Sequence, residues 1–266
     1  MTDKRANTFA LQHYTKETPE PPDDLVLWRY LDFPKFLDLL TTRTLKMPRA
    51  SSMDDGYEGM LGEAAVDARL KSWKLMGEPS YLRQVSWNKE LRATSFWRDR
   101  TYVSCWNSFP TENAGLWRIY GDDKGLAIKT TWKRLKESFT AGDCVDRVFY
   151  GNIEYKNFAT DTVASDTFTD QYFSKRVEFA HENEFRLVAH DISRDHSYTD
   201  TDPTGLPKFA TIDCDLDALI EELIISPRLG AWVTKSVEAT CQVFNGDWRI
   251  RQSKLYEAPE KSSTKF

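Results

Sequence analysis

Among the residues able to do chemistry, the tightest grouping is Glu182-Asn183-Glu184-Phe185-Arg186. Read as a strand, it turns Phe185 and Leu187 toward a core and sets Glu182, Glu184 and Arg186 in a row on the opposite face. Two carboxylates spaced i, i+2 on one face repel each other. Such a pair is costly unless it is solvated, neutralised by the arginine, or used. Its use would be cleavage of a glycosidic bond, whose transition state resembles an oxocarbenium ion and is stabilised by a facing carboxylate. Three further groups compete for attention. In Trp28-Arg29-Tyr30 an arginine lies between aromatics in an apolar strand, where its planar fork suits a phosphate or carboxylate, or a structural acid. In Tyr102-Val103-Ser104-Cys105-Trp106 the period of two puts Tyr102, Ser104 and Trp106 on one face. A hydroxyl between two rings can fix a ribose while a ring stacks on a base. The acids Asp54, Asp55 and Glu58 form a turn, or together with Glu184 a Mg²⁺ site.

The elements that must position these residues are legible in part. Leu25 to Tyr30 reads as a strand, followed by Asp32 as an N-cap and by Phe33, Phe36, Leu37 and Leu40 at helical spacing. Leu45 and Met47 alternate in a short strand ended by Pro48, and residues 49–59 form a loop rich in turn formers. Residues 60–95 are helical but poorly patterned. Residues 111–120 predict a short helix with Leu116, Trp117 and Tyr120 inward. Strands are expected at 125–130 and 145–155, and helices at 132–139 and 168–180. After Asp215 come a helix at 216–223, an apolar strand at Ile224-Ile225, a helix near 232–243 and a last strand at 248–250. Helices and strands intermingle with no regular βα repeat. The expected fold class is therefore α+β, with mixed, largely antiparallel sheets and flanking helices.

Composition narrows the classes of function. The chain has 266 residues, 40% of them hydrophobic, enough for one large domain expected at 25–257. Residues 1–24 read as a flexible polar N-terminal arm and 258–266 as a flexible tail. Cys105, Cys144, Cys214 and Cys241 form no C-x-x-C pair, and no histidine pair has metal-ligand spacing, so no metal site is assigned. No apolar run is long enough to cross a bilayer and the start lacks a secretory h-region, which makes the cytoplasm the expected location, without membrane partners. A net charge of −5 argues against a broad non-specific grip on nucleic acid. Phosphate-loop, dinucleotide-fingerprint, nucleophile-elbow and zinc-protease motifs are absent.

Taken in order, the segments LWRYLDFPKFLDLL, RASSMDDGYEG, YVSCWN, GLWRIYG, KGLAIKTT, FAHENEFRLV and LIEELIISPR resemble a large family of uncharacterised prokaryotic proteins that includes abortive phage-infection proteins of the AbiGi type. The positions Arg29, Ser104 with Tyr102, and Glu184 with Glu182 also resemble, in order, the Arg or His, Tyr or Ser, and E-x-E signature of the ADP-ribosyltransferase fold. That resemblance implies an ADP-ribosyltransferase or NAD glycohydrolase with NAD as substrate and with protein, nucleic acid or water as acceptor. Arg29 and Tyr30 would hold NAD and Ser104 would orient the nicotinamide ribose. Tyr102 or Trp106 would pack on the nicotinamide. Glu184 would stabilise positive charge while Glu182 orients the nucleophile, and all these groups would line one cleft. The family resemblance implies a toxin or effector of anti-phage defence, with a possible partner protein from the same system. Two alternatives stay open: a non-catalytic antitoxin or regulatory partner, and a metal-dependent nuclease using Asp54, Asp55, Glu58 and Glu184.

Overall fold

The structure, a computed structural model, describes residues 9–15, 18–121, 125–143, 147–161, 168–191 and 204–258. Along the chain the elements are β1 (Ala10–His13), β2 (Val26–Asp32), α1 (Phe33–Thr42), β3 (Thr44–Pro48), α2 (Glu63–Leu75), α3 (Ser80–Arg100), β4 (Thr101–Asn107) and α4 (Ala114–Leu116), which runs on as a π-turn to Gly121. There follow β5 (Gly125–Thr131), α5 (Trp132–Glu137), β6 (Phe139–Asp143), β7 (Arg147–Asn152), β8 (Glu154–Lys156), β9 (Ser174–Arg176) and β10 (Glu184–His190). The last elements are β11 (Phe209–Cys214), α6 (Leu216–Leu219), β12 (Glu222–Ile225), α7 (Ala231–Val243) and β13 (Arg249–Gln252). This is the α+β class with mixed and antiparallel sheets and flanking helices.

The residues group into two compact units, each assembled from three separated segments. The first unit holds residues 1–23, 44–108 and 139–215. Its strands run in the order β1-β7-β10-β4, with β10 antiparallel to both neighbours and β1 parallel to β7. Beside these lie the antiparallel β3-β11-β6 sheet and the parallel pair β8-β9. The second unit holds residues 24–43, 109–138 and 216–266, with strand order β2-β5-β12-β13. There Trp28, Tyr30, Leu116, Trp117, Ala127 and Ile224 form a core cluster.

Several expectations need correction. The stretch 168–180 contains two 3₁₀ turns and β9 in place of one helix, because Phe173 and Lys175 are both buried and no helical stripe forms. Tyr120 is 46% exposed where it was expected to face inward, since the π-turn shifts the residues after Trp117 out of the 3.6 period. Within the arm expected to be flexible, residues 10–13 pair with β7 and the Tyr14 ring stacks on Phe173 at 4.0 Å. The expected tail lies outside the described residues from 259 onward, as do Cys144 and His196.

The second unit owes the entry of its first helix to one side chain. Asp32 is extended and its carboxylate accepts from the Lys35 backbone N–H at 2.8 Å, satisfying a donor that the helix start would otherwise leave open. Asp32→Ala is expected to lower stability by about 1 kcal/mol, measured as the shift in urea midpoint at unchanged slope.

Candidate functional site

The first unit has an ionic cluster where a strand interior is ordinarily apolar. Both neighbours of β10 are strands of the same sheet, and every residue from Glu184 to His190 is buried. Arg186 is 0% exposed and contacts three separate parts of the chain. Its guanidinium donates to Glu184 through Nε at 3.1 Å and Nη2 at 3.0 Å, to the Tyr172 carbonyl at 2.7 Å, and to both carboxylate oxygens of Glu58. Lys175 donates to Glu184 at 3.2 Å and also to Glu182. Three carboxylates, Glu58, Glu182 and Glu184, thus share two cations. All five side chains are buried, which would cost several kcal/mol per ion without these mutual bonds.

Local backbone geometry brings the two glutamates to one cation. Asn183 adopts the left-handed conformation, φ 41°, which ends the 3₁₀ turn before β10 begins. Its amide donates to the Ser108 carbonyl at 2.7 Å, and Asn107 donates to the Glu182 carbonyl at 2.8 Å. Glu182 therefore lies in a turn rather than on the strand, which corrects the expected row of three charges. Lys175 bonds both carboxylates, so the repulsion anticipated for an i, i+2 pair is met by a cation that sequence spacing did not suggest. At the far side of the cluster Gly59 has φ 68°, and a Cβ there would come within 2.3 Å of the Tyr172 ring. Only glycine lets the chain pass Tyr172 and present Glu58 to Arg186.

Burial and charge act oppositely on the carboxyls. Burial by itself would raise Glu184, but Arg186, Lys175 and the Cys105 thiol together hold it below the usual carboxylate range. Glu58 faces Arg186 closely and Lys175 only more weakly, so burial dominates and pushes its carboxyl up. The cluster thus holds a firmly ionised Glu184 beside a carboxyl that protonates more readily.

The other anticipated residues are distributed as follows. Ser104 is 1% exposed and accepts from the Trp106 indole at 3.2 Å, while Tyr102 donates to the Pro207 carbonyl at 3.1 Å. In the antiparallel register Arg186 faces Cys105, and Leu187 faces Ser104. Glu184 and Arg186 accordingly share a sheet face with Cys105 and Asn107, whereas Ser104, Tyr102 and Trp106 leave from the other. The expected cleft joining Ser104 to Glu184 is corrected by this alternation. Arg29 and Tyr30 belong to the second unit. Arg29 is half-buried on β2 opposite Ile128. The Tyr30 hydroxyl accepts from the Asn113 backbone N–H at 3.1 Å, its ring meets Trp117 edge-on at 4.9 Å, and burial raises it to about 12.

The acids proposed as Mg²⁺ ligands are separated by arginines. Asp55 bonds Arg176 at 2.9 Å and Glu58 bonds Arg186. Among the described residues no three His, Cys, Asp or Glu side chains gather where they could hold a metal ion. Lys175 and Arg176 went unnoticed in the sequence; their signal was the basic pair shortly before the E-x-E, hidden by reading that stretch as a helix.

Comparisons with known proteins add little to this geometry. The profile of a family described as a protein of unknown function, DUF2971, matches residues 116–187, a stretch containing Lys175, Glu182, Glu184 and Arg186 but not Arg29, Glu58 or Ser104. No curated protein matches. A solved structure of DarT from Thermus sp. 2.9, in complex with ADP-ribosylated single-stranded DNA, is similar over 88% of this chain and 96% of that one. At 10% identity and a TM-score of 0.39, the shared geometry is too small to transfer a site from one chain to the other. No helix among the described residues is long and apolar enough to cross a membrane.

Two measurements probe the cluster. Arg186→Met leaves Glu58 and Glu184 without their shared cation and is expected to cost roughly 3–5 kcal/mol; in the Glu58→Gln background the same change should cost less. The pH dependence separates the two carboxyls. A raised Glu58 binds its proton more tightly in the folded state, so the wild type should gain stability relative to Glu58→Gln as pH falls from neutral to about 4.3. A lowered Glu184 contributes stability above that pH, and both proteins should lose it on further acidification. Urea midpoints of the two proteins across this range provide the check.

Proposed function

We propose that this chain is an ADP-ribosyltransferase-like enzyme that consumes NAD, acting in the cytoplasm as a toxin or effector of bacterial anti-phage defence, in a family with AbiGi-type members. The observation that carries the reading is the ionised Glu184 at the N-terminal end of β10, with Glu182 joined to it through Lys175. In this reading the Glu184 carboxylate faces the ribose as nicotinamide leaves and stabilises the developing positive charge. Glu182 orients the acceptor nucleophile, which is protein, nucleic acid or water. Lys175 bridges the two carboxylates until substrate arrives. Arg29, on its own unit, is assigned to the phosphates or ribose of NAD through its planar fork. Tyr30 supports that strand by its bond with Asn113. The roles first given to Ser104, Tyr102 and Trp106 as direct ribose and nicotinamide contacts become those of a packed wall behind the sheet.

A second reading has its own observation. Glu184 is 3% exposed and its oxygens are occupied by Arg186 and Lys175, as expected if the cluster fixes the fold of a non-catalytic antitoxin or regulatory partner.

Nicotinamide release from NAD, followed with and without added single-stranded DNA, RNA and protein, discriminates the two. The enzyme reading expects release, a fall of about 10²–10³-fold in Glu184→Gln assayed below its own melting temperature, and weakened NAD binding with an unchanged unfolding midpoint in Arg29→Lys. A wild type that releases no nicotinamide with any acceptor, together with an Arg29→Lys protein that melts early, would sink the enzyme reading in favour of the structural one.

A further inference from the structure

The opposite end of β10 has different surroundings. Six residue steps separate Glu184 from His190, about 20 Å along a strand. The His190 imidazole lies between two hydroxyls, Thr101 Oγ1 at 2.9 Å from Nδ1 and Thr169 Oγ1 at 3.1 Å from Nε2. Around it stand the rings of Phe168, Tyr172 and Trp97, at centroid distances of 4.5, 5.8 and 6.1 Å. Burial lowers this histidine to about 3, so the imidazole is neutral and completes an uncharged aromatic floor.

Over these rings opens a cavity of about 720 Å³, lined along α3 by Lys89, Glu90, Arg92, Thr94 and Trp97 and closed by Phe168 and Tyr172. Its volume falls within the range of sites for small molecules of drug or cofactor size. Trp97 and Phe168 are nearly parallel, 19° apart with centroids at 4.4 Å, and Phe168 is 38% exposed. A stack of two rings with an open face accepts a third flat ring. Three residues apart on one helix, Lys89 and Arg92 project from neighbouring positions, and both are exposed. The acid between them, Glu90, is engaged by Arg69, so it does not neutralise that rim. An apolar aromatic floor with two cations at its edge recognises a planar ring that carries an anionic group.

We propose that this cavity is a nucleotide-binding site, taking the base on the Trp97–Phe168 stack and the phosphate at Lys89 and Arg92. The nucleotide is a free mononucleotide or one unit of a single strand; the chemistry at the site is the same. The site meets the Glu184 cluster at Tyr172, whose ring closes the cavity while its carbonyl accepts from Arg186, and it does not depend on NAD cleavage there.

Calorimetric titration of the full chain with AMP, adenosine, ribose 5-phosphate and a short oligodeoxyadenylate tests it. AMP or the oligonucleotide should bind saturably, and adenosine and ribose 5-phosphate should each bind roughly ten-fold or more weakly, having lost the phosphate or the base. The paired change Lys89→Glu and Arg92→Glu should weaken nucleotide binding by a similar factor at an unchanged melting temperature, because both side chains are exposed. Trp97→Leu should weaken it as well, judged at a temperature where that variant is folded. A strand that binds more tightly than AMP, with both lost in the paired variant, identifies the strand as source; AMP binding alone identifies the free nucleotide. Since NAD contains an AMP moiety, nicotinamide release in the paired variant is measured in parallel, and its retention while AMP binding is lost locates the site away from Glu184. Absence of binding by both AMP and the strand, binding of adenosine as tight as AMP, or an affinity untouched by the paired change would overturn the proposal.

Discussion

The first unit depends on the burial of one guanidinium. Arg186 lies in the middle of a sheet, between β7 and β4, where an unpaired charge could not persist. It is tolerated because Glu58, the Tyr172 carbonyl and Glu184 supply acceptors around its planar fork. These partners come from a turn early in the chain, a 3₁₀ turn and the strand itself. One residue thus fixes the loop after β3, the segment before β9 and the start of β10 relative to each other. Gly59 and Asn183, both in left-handed backbone conformations, are local consequences of that demand. Each turns the chain so that a glutamate reaches its cation.

The same pairing bears on function in two opposed ways. Arg186 and Lys175 keep Glu184 ionised, as stabilising a developing cation requires. They also occupy its oxygens and hide it from solvent. An enzyme built on this cluster must exchange at least one of those bonds for substrate. Lys175 is the weaker tie: it is a flexible ammonium with one 3.2 Å bond to Glu184, whereas Arg186 makes a two-point contact. A partner protein that only needs the fold would keep every bond.

The sequence showed alternation well and burial poorly. The two faces of β4 and β10 are as the period of two requires, and the Asp32 cap, α7 and β13 lie close to where local patterns put them. Charge misled the reading of β10, since a strand bearing Glu and Arg looks solvated whereas here every residue is buried. Its partners lie 128 and 14 residues away, at Glu58 and Tyr172, and no local window contains them. Asp54, Asp55 and Glu58 looked like one acidic loop because spacing cannot reveal that two different arginines divide it. The segment around Lys175 was misread for a related reason: apolar residues at mixed intervals satisfy a helix template, and only tertiary pairing with β8 selects a strand.

The face assignment also narrows what any ligand of Glu184 can touch. A ring or ribose opposite that carboxylate meets the same-face neighbours Cys105 and Asn107, because Ser104 points through the sheet to the other side. Cys105 is a poor partner for a sugar hydroxyl, with its thiol pushed up by burial and by Glu184. Asn107 commits its amide donor to the Glu182 carbonyl but retains a carbonyl acceptor. The groups beside Glu184 are carboxylate, ammonium, guanidinium, thiol and amide oxygen, with no hydroxyl from the neighbouring part of β4; the Tyr155 hydroxyl, pushed up by burial, is committed to accepting from the Glu184 backbone N–H at 2.8 Å. A nucleophile activated here would have to arrive with the acceptor, which places the burden of positioning it on Glu182 and on the Asn183 turn that aims it.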